Sequence, residues 1–171
     1  LYWAGTHDVD TIRYYLGEVD EVVAMTGPKM FPNLTDYDDA IAMTLRFRTG
    51  AIGSFQVTSF FPMATYRTSF AYAIVCEHGG ISYDPRQVAV HYAKHNGPMQ
   101  TTFFEGYGFD EAFATEWDSF AGWLLRDEPP VLTGEDGLRV VEIMQAAYMS
   151  ADEGGCPVSL PLDRNERRPF G

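Results

Sequence analysis

The sequence has few basic residues. It contains 12 lysines and arginines against 24 aspartates and glutamates, so the 171-residue chain carries a formal net charge of −12 at pH 7. An excess of negative charge repels a phosphate backbone and an anionic lipid surface alike. The charge balance therefore argues against nucleic acid and against a membrane as partners.

Cysteine and long apolar runs are also scarce. The 2 cysteines, Cys76 and Cys156, form no C-x-x-C pair and do not supply the disulfide framework of a small secreted domain. The sequence has no apolar run of roughly 18 residues, the length that begins to suggest a membrane span. The first residues also lack the basic and apolar regions of a signal peptide. We therefore expect a soluble protein of a reducing, cytoplasmic compartment.

Motifs for phosphate binding and for nucleophilic catalysis are missing as well. The sequence contains neither G-x-G-x-x-G nor a Walker pattern, and its Gly-Gly pairs at 79 and 154 lack the strand-turn-helix context of phosphate loops. There is no G-x-S-x-G sequence, and neither cysteine has an evident histidine partner. The chain is therefore not expected to hold a dinucleotide by the usual route.

The apolar content is sufficient for one sizeable core, since 46% of residues are hydrophobic and 15% are aromatic. The first predicted element is a short helix that begins with Thr6 as its N-cap and stops at Gly17. Its apolar residues fall at helical spacing: Val9, Ile12 and Leu16.

Alternating apolar and polar residues predict strands in the middle of the chain. Ile41, Met43, Leu45 and Phe47 form one apolar face, and Thr49-Gly50 then turns the chain into a second strand over 51–61. Further strands are predicted over 21–25, 68–76, 88–92, 100–104 and 157–160, with a loop over 27–36 and a turn at Gly79-Gly80.

Two longer helices are predicted in the last third of the chain. The helix over 110–126 has an apolar stripe that we expect to face the core, made of Phe113, Trp117, Phe120 and Leu124. The next helix begins at the capping-box-like segment 133–136 and ends at Gly154-Gly155. These elements predict an α+β fold with an open, mostly antiparallel sheet, helices on one face and the other face free for oligomerisation.

One group of polar residues lies on a single face of the first helix: His7, Asp10 and Tyr14. A histidine is the usual proton carrier of a site near neutral pH, so this face is a candidate to line a cleft. A structural interpretation is also open, in which Asp8 and Asp10 complement the helix dipole and His7 is a solvated end residue.

A metal site is a further interpretation of the His-x-x-Asp spacing, because one helix face then offers two ligands. His78, His91 and His95 lie far along the chain and bring no second close-spaced pair of ligands. We therefore assign no metal.

The order and spacing of several segments are informative. They are Gly5-Thr6-His7-Asp8-Val9-Asp10, 15–19, 39–42, 47–54, 113–120, 129–137, 146–151 and 157–162. Together they resemble the C-terminal domain of the Gfo/Idh/MocA oxidoreductases, the glucose-fructose oxidoreductase and inositol dehydrogenase family. The resemblance covers residues 1 to about 162.

The resemblance implies an oxidoreductase that acts on a hydroxyl of a sugar, inositol or related polyol. In that family an N-terminal Rossmann domain binds NAD or NADP, and the C-terminal domain, here residues 1–171, contacts substrate and forms an oligomer surface. His7 matches the catalytic histidine, and Asp10 matches a position that contacts substrate hydroxyls. The sequence starts at Leu1 and has no Rossmann half, so we expect a piece of a larger enzyme that is inactive alone.

Trp3 departs from the family pattern, which often has an aspartate four residues before the histidine. A tryptophan cannot orient an imidazole through a charge-assisted hydrogen bond. Trp3 stacks on a sugar ring or nicotinamide, or it belongs to the core. A non-catalytic binding or assembly module of the same fold therefore stays open as an alternative.

The sheet face that no helix covers is expected to be apolar, with Phe55, Val57, Phe60 and Phe61 on it. In the family that face commonly makes the subunit interface. We therefore expect a homo-oligomer.

Overall fold

The structure is a computed structural model that describes residues 5–29, 39–58, 71–84, 89–104 and 109–163. Its chain divides into two units, Leu1–Phe60 with Leu132–Gly171, and Phe61–Val131. In chain order the elements are α1 Thr6–Leu16, β1 Val19–Thr26, β2 Ala40–Phe47, β3 Ile52–Thr58, β4 Tyr72–Cys76, β5 Gly79–Asp84, β6 Ala89–Lys94, β7 Gln100–Phe103, α2 Phe109–Arg126, α3 Gly134–Asp152 and β8 Val158–Ser159.

The first unit contains a four-stranded antiparallel sheet in the order β3-β2-β1-β8. The predicted hairpin of β2 and β3 is confirmed, and its turn contains Gly50 with φ +87°, a conformation that favours glycine. Leu45 of β2 lies opposite Val22 of β1 and Gly53 of β3, which fixes the register of the three strands.

The core of this unit lies between the inner face of the sheet and α3, with α1 packed against α3. Leu45 and Phe47 of β2 are buried, as the alternation predicted, and Ile143 and Met144 of α3 are buried in the same cluster. Removal of these apolar side chains from water is the main stabilising term for the unit. The other buried members of the cluster are Val9, Val19, Val22, Ala24, Ile41, Met43, Phe55, Val140, Ala146, Ala147, Leu160 and Leu162.

The outer face of the sheet differs from the prediction. Phe55 is buried and Val57 packs against the core, so both lie on the helix-covered face, and their assignment to the open face was wrong. Phe60 and Phe61 lie outside the described residues. A strand register that differs by one residue places side chains on opposite faces, and the sequence alone did not determine which face α3 covers.

The ends of α3 agree with the sequence. Thr133 is its N-cap and forms a capping box with Asp136, and Gly154 and Gly155 follow its last turn with positive φ. At α1 the N-cap is Gly5, whereas Thr6 is the first helical residue, so the predicted Thr6 cap was wrong. The Thr6 hydroxyl instead lies 3.7 Å from Met144 Sδ of α3.

The second unit contains α2 and a second four-stranded antiparallel sheet, in the order β4-β5-β6-β7. The predicted turn at Gly79-Gly80 is displaced, because Glu77 and His78 form the turn and Gly79 begins β5. A Cβ on Gly79 would collide with the Ala93 carbonyl oxygen of β6. Glycine is therefore needed here for close strand pairing rather than for the turn.

The stripe of α2 does not face a core. Phe113, Trp117 and Phe120 are 54%, 67% and 46% exposed, and Leu124 is 62% exposed. The helical period was predicted correctly, but periodicity identifies an apolar face without identifying what covers it. Taken together, the antiparallel strands and three helices confirm the α+β class. Among the helices that the structure describes, none combines the length and the apolar composition of a membrane span.

Candidate functional site

The candidate site residues lie on the first turns of α1. Val9 is 1% exposed and anchors this end of the helix in the core, and its amide donates to the Gly5 carbonyl at 2.9 Å. His7 is exposed and Asp10 is half-buried. Their spacing of three residues places them on neighbouring positions of one helix face, as predicted.

The His7 ring is available to a ligand. The side chain of His7 is exposed, and its backbone carbonyl accepts a hydrogen bond from the Thr11 hydroxyl at 2.8 Å. Tyr14 lies two turns further along and is 77% exposed, with its ring 5.3 Å from that of Tyr15 in an edge-to-face arrangement. Trp3 lies outside the described residues.

Asp8 is the residue whose environment the sequence did not reveal. Burial raises the pKa of this half-buried carboxyl to about 6, and the nearby His7 charge opposes the rise. A carboxyl with a pKa near neutrality, next to an exposed histidine, is typical of functional sites, although structural networks also produce it. The sequence pattern alone indicates only that Asp8 can complement the helix dipole.

Two charged contacts hold the far end of α1 in place. The Arg13 guanidinium donates to Glu18 Oε1 from Nε at 3.0 Å and from Nη2 at 2.6 Å. Its Nη1 lies 2.9 Å from Asp136 Oδ1 at the start of α3. The helix that carries His7 and Asp10 is therefore anchored by apolar packing at one end and by a bridging arginine at the other.

A small cavity of the same unit is separate from this face. It is lined by Glu18, Val19, Arg48, Arg139, Glu142, Ile143, Leu160 and Pro161, none of which belongs to α1. The Glu142 carboxylate in it is buried and accepts from Arg139 Nη1 at 2.7 Å. This pairing satisfies a buried charge within the fold.

Acidic residues lie at the start of each described helix, the position where phosphate groups bind in many proteins. Such groups bind at helix N-termini with free amides and a favourable dipole. The first turns of all three helices instead carry acidic residues, Asp8 in α1, 110–111 in α2 and 135–136 in α3. The described residues do not contain a group of three or more histidine, cysteine, aspartate or glutamate residues that could hold a metal ion.

Comparison with known proteins places this arrangement in context. The family model described as "Oxidoreductase family, C-terminal alpha/beta domain" (Gfo/Idh/MocA) matches residues 1–160. Among curated proteins none matches the sequence.

Solved structures that share this fold include dehydrogenases and other oxidoreductases. Levoglucosan dehydrogenase in complex with NADH and levoglucosan has a TM-score of 0.80 and 22% identity, covering 92% of this chain and 49% of its own. An oxidoreductase from Agrobacterium radiobacter in complex with NAD+, L-tartaric acid and magnesium has a TM-score of 0.77 and 20% identity, over 91% and 47%. The WlbA dehydrogenase from Bordetella pertussis, in complex with NADH and UDP-GlcNAcA, has a TM-score of 0.67 and 24% identity, over 93% and 44%.

These likenesses establish the fold, and the chain spans about half the length of the solved relatives. The match of the family model over 160 of the 171 residues establishes more. The chain belongs to the Gfo/Idh/MocA oxidoreductase family, and it corresponds to the C-terminal α/β domain of that family.

Proposed function

We propose that this chain is the substrate-binding domain of an NAD(P)-dependent oxidoreductase that acts on a hydroxyl of a sugar, inositol or related polyol. The observation that carries the proposal is the exposed face of α1, where His7 and Asp10 lie side by side on a helix anchored in the core. The solved relatives with dinucleotide and sugar-type ligands support it.

In the proposed reaction the imidazole of His7 accepts the proton of a substrate hydroxyl. A nicotinamide held by a domain outside this chain would take up the hydride from the same carbon, and the C–OH group would thereby become a carbonyl. Asp10 accepts a hydrogen bond from a neighbouring hydroxyl and so contributes to the binding of the substrate beside His7. A carboxylate accepts such bonds more strongly than a neutral group does.

The acidic character of the chain agrees with a role in which it binds the substrate and another domain binds the cofactor. With a net charge of −12 and acidic first turns on its helices, the chain favours a neutral polyol over a phosphorylated ligand. The dinucleotide therefore belongs to a Rossmann domain on the same polypeptide, which we expect to precede Leu1.

We also propose that the outer face of the first sheet makes contacts in a homo-oligomer. Met25 and Ile52 are 64% and 74% exposed on this face. Arg46 lies opposite Ile52, and its Nη2 is 3.2 Å from Glu21 Oε1. If light scattering gave the mass of a single subunit over a wide range of protein concentrations, this role would be excluded.

The function is tested on the polypeptide that contains this chain and the segment encoded before it. We expect oxidation of sugars or polyols with NAD or NADP, and a loss of about 10²–10⁴-fold in turnover for His7→Ala, the range typical of a general base. His78→Ala is the matched control, because His78 is also exposed. Equal activity of the two variants, or the lack of a dinucleotide-binding segment, rules out the proposal.

A further inference from the structure

The aromatic stripe of α2 is an exposed surface that the proposed reaction does not use. It consists of Phe113, Trp117, Phe120 and Leu124, and is called here the α2 aromatic face. Successive members stand four, three and four residues apart, so they form one line along the helix. The ring centroids of Trp117 and Phe120 are 6.1 Å apart at 80°, an edge-to-face contact that holds both side chains in place.

The opposite side of α2 is already occupied by the segment that follows the helix. The Glu128 amide donates to the Gly122 carbonyl at 3.2 Å, and Arg126 Nε donates to Glu128 Oε1 at 2.9 Å. The Val131 amide donates to the Ser119 hydroxyl at 3.4 Å. The helix therefore has a back that its own chain covers and a front of large exposed apolar side chains.

Acidic residues border the α2 aromatic face on both sides. At about 100° per residue, Asp110 and Glu116 lie within about 70° of the stripe on opposite sides, and both are exposed. A second copy of the chain, docked through this same face, would bring these like charges together. At the α2 aromatic face, charge complementarity therefore favours a basic partner surface over a second copy of the chain.

We infer that the α2 aromatic face docks into an apolar groove bordered by lysine and arginine side chains on the cofactor-binding domain of the same polypeptide. The inference rests on the proposed function, which places that domain outside this chain. The solved relatives carry about as much chain again beyond the part that this chain covers, which is enough for such a domain. Four apolar anchors on one helix face, inserted in a groove, form a common recognition mode, and tryptophan dominates the energetics of such contacts.

Hydroxyl-radical footprinting tests the inference on the 171-residue chain and on the longer polypeptide. We expect the reactivity of Trp117 and Phe120 to fall several-fold in the longer polypeptide. Leu125, which is 80% exposed on α2 outside the stripe, serves as the control and should react equally in both. Equal reactivity of Trp117 and Phe120 in both samples would overturn the inference. Protection that already appears in the 171-residue chain and grows with its concentration would overturn it too, since a second copy would then be the occupant.

A charge reversal tests the basic border of the groove. Glu116→Lys, beside the stripe, is expected to restore part of the reactivity of Trp117 in the longer polypeptide. Glu111→Lys makes the same change on the far side of the helix and should have no effect. If the reactivity of Trp117 is the same in both variants, the groove does not have a basic border. A polypeptide that oxidises polyols with an unprotected α2 aromatic face contradicts this inference alone, whereas one without dinucleotide binding contradicts the proposed function as well.

Discussion

Asp136 joins α1 to α3, because its two carboxylate oxygens have different partners. Oδ1 lies 2.9 Å from Arg13 Nη1 of α1, and Oδ2 accepts from the Thr133 amide at 2.8 Å and from its hydroxyl at 2.6 Å. Hydrogen bonds from the Thr133 hydroxyl and amide, followed by one from Arg13, lower the pKa of Asp136 to about 2. One side chain thus completes the N-cap of α3 and positions the helix that carries the candidate site.

Asp136→Ala is expected to reduce the free energy of unfolding by about 1–2 kcal/mol at pH 7, the range of a lost helix cap. Because the folded pKa lies below the unfolded value near 4, this stability is present above pH 4 and is lost as pH falls through about 2. Denaturant unfolding at pH 7, 4 and 2 measures the difference. Glu135→Ala, which removes an exposed charge of the same turn, should cost less than about 0.5 kcal/mol. If the loss of unfolding free energy in Asp136→Ala were the same at all three pH values, the lowered pKa of Asp136 would not contribute to stability.

Ser150 closes a gap at the edge of β1. The short β8 pairs only with Glu21 and Val22, and beyond its end the Ala24 amide donates to Ser150 Oγ at 2.9 Å. Ser150 and Ala24 are 0% and 1% exposed, so no water replaces the lost acceptor easily.

We therefore expect Ser150→Ala to destabilise the chain by about 1–3 kcal/mol, the cost of a buried unsatisfied donor. Thermal and denaturant unfolding measure it, and Ser54→Ala on the exposed face of β3 is the control with little expected change. Equal stability of the two variants would show that the Ala24 amide finds another acceptor.

Asp8 predicts a pH-dependent stability of the opposite sign to that of Asp136. Its folded pKa of about 6 lies above the unfolded value, so the fold favours the neutral carboxyl. Stability is fully present below about pH 4 and is lost as pH rises through about 6.

Asp8→Asn should therefore stabilise the chain at pH 7.5 by about 1–2 kcal/mol, after allowance for the solvent that reaches this half-buried group. Below pH 4 the variant and the original should be equally stable. Asp20→Asn removes the same charge from an exposed position and serves as the control. A variant that is less stable at pH 7.5 would indicate that Asp8 is held as a carboxylate by a contact outside the described residues.

The elements of the first unit were predictable because their signals are local. Alternation in 41–47, glycine in the following turn and the capping box at Thr133 each depend on residues that are neighbours in sequence. What covers each face is not local, which explains the errors on Phe55, Val57 and the stripe of α2. The distribution of strands over two sheets depends on pairing partners in the same way.

In the candidate site, too, local features were predictable from the sequence and non-local packing was not. The shared face of His7 and Asp10 follows from helical spacing, whereas the burial of Asp8 depends on packing around α1 that no spacing reveals. The roles of His7 and Asp10 came from the family resemblance and stay predictions.

The observed register makes a direct prediction for two aliphatic side chains on adjacent strands. Leu45 of β2 is fully buried on the inner face, and Ile52 of β3 is 74% exposed on the outer face. Leu45→Ala is expected to cost about 2–5 kcal/mol of unfolding free energy, and Ile52→Ala under about 1 kcal/mol. If Ile52→Ala proved the costlier change in the isolated chain, the inner and outer faces of the sheet would be reversed.

Asp10 separates substrate recognition from proton transfer in the proposed oxidoreductase. Asp10→Asn keeps the size of the side chain and removes the charge, so a charge-assisted hydrogen bond to a substrate hydroxyl weakens. We expect KM for the polyol to rise about 10-fold or more, in line with about 1.5–3 kcal/mol for a hydrogen bond to a charged group. The turnover number should change much less, since His7 is intact.

A substrate analogue makes this prediction specific. An analogue that lacks the hydroxyl contacted by Asp10 should be a poor substrate for the original polypeptide but no poorer for Asp10→Asn, because the lost contact is then absent from both partners. Steady-state kinetics of the two proteins with both substrates give the coupling energy directly. If the effects of the variant and of the missing hydroxyl simply add, Asp10 does not contact that hydroxyl. A loss confined to the turnover number would instead assign Asp10 to the orientation of His7.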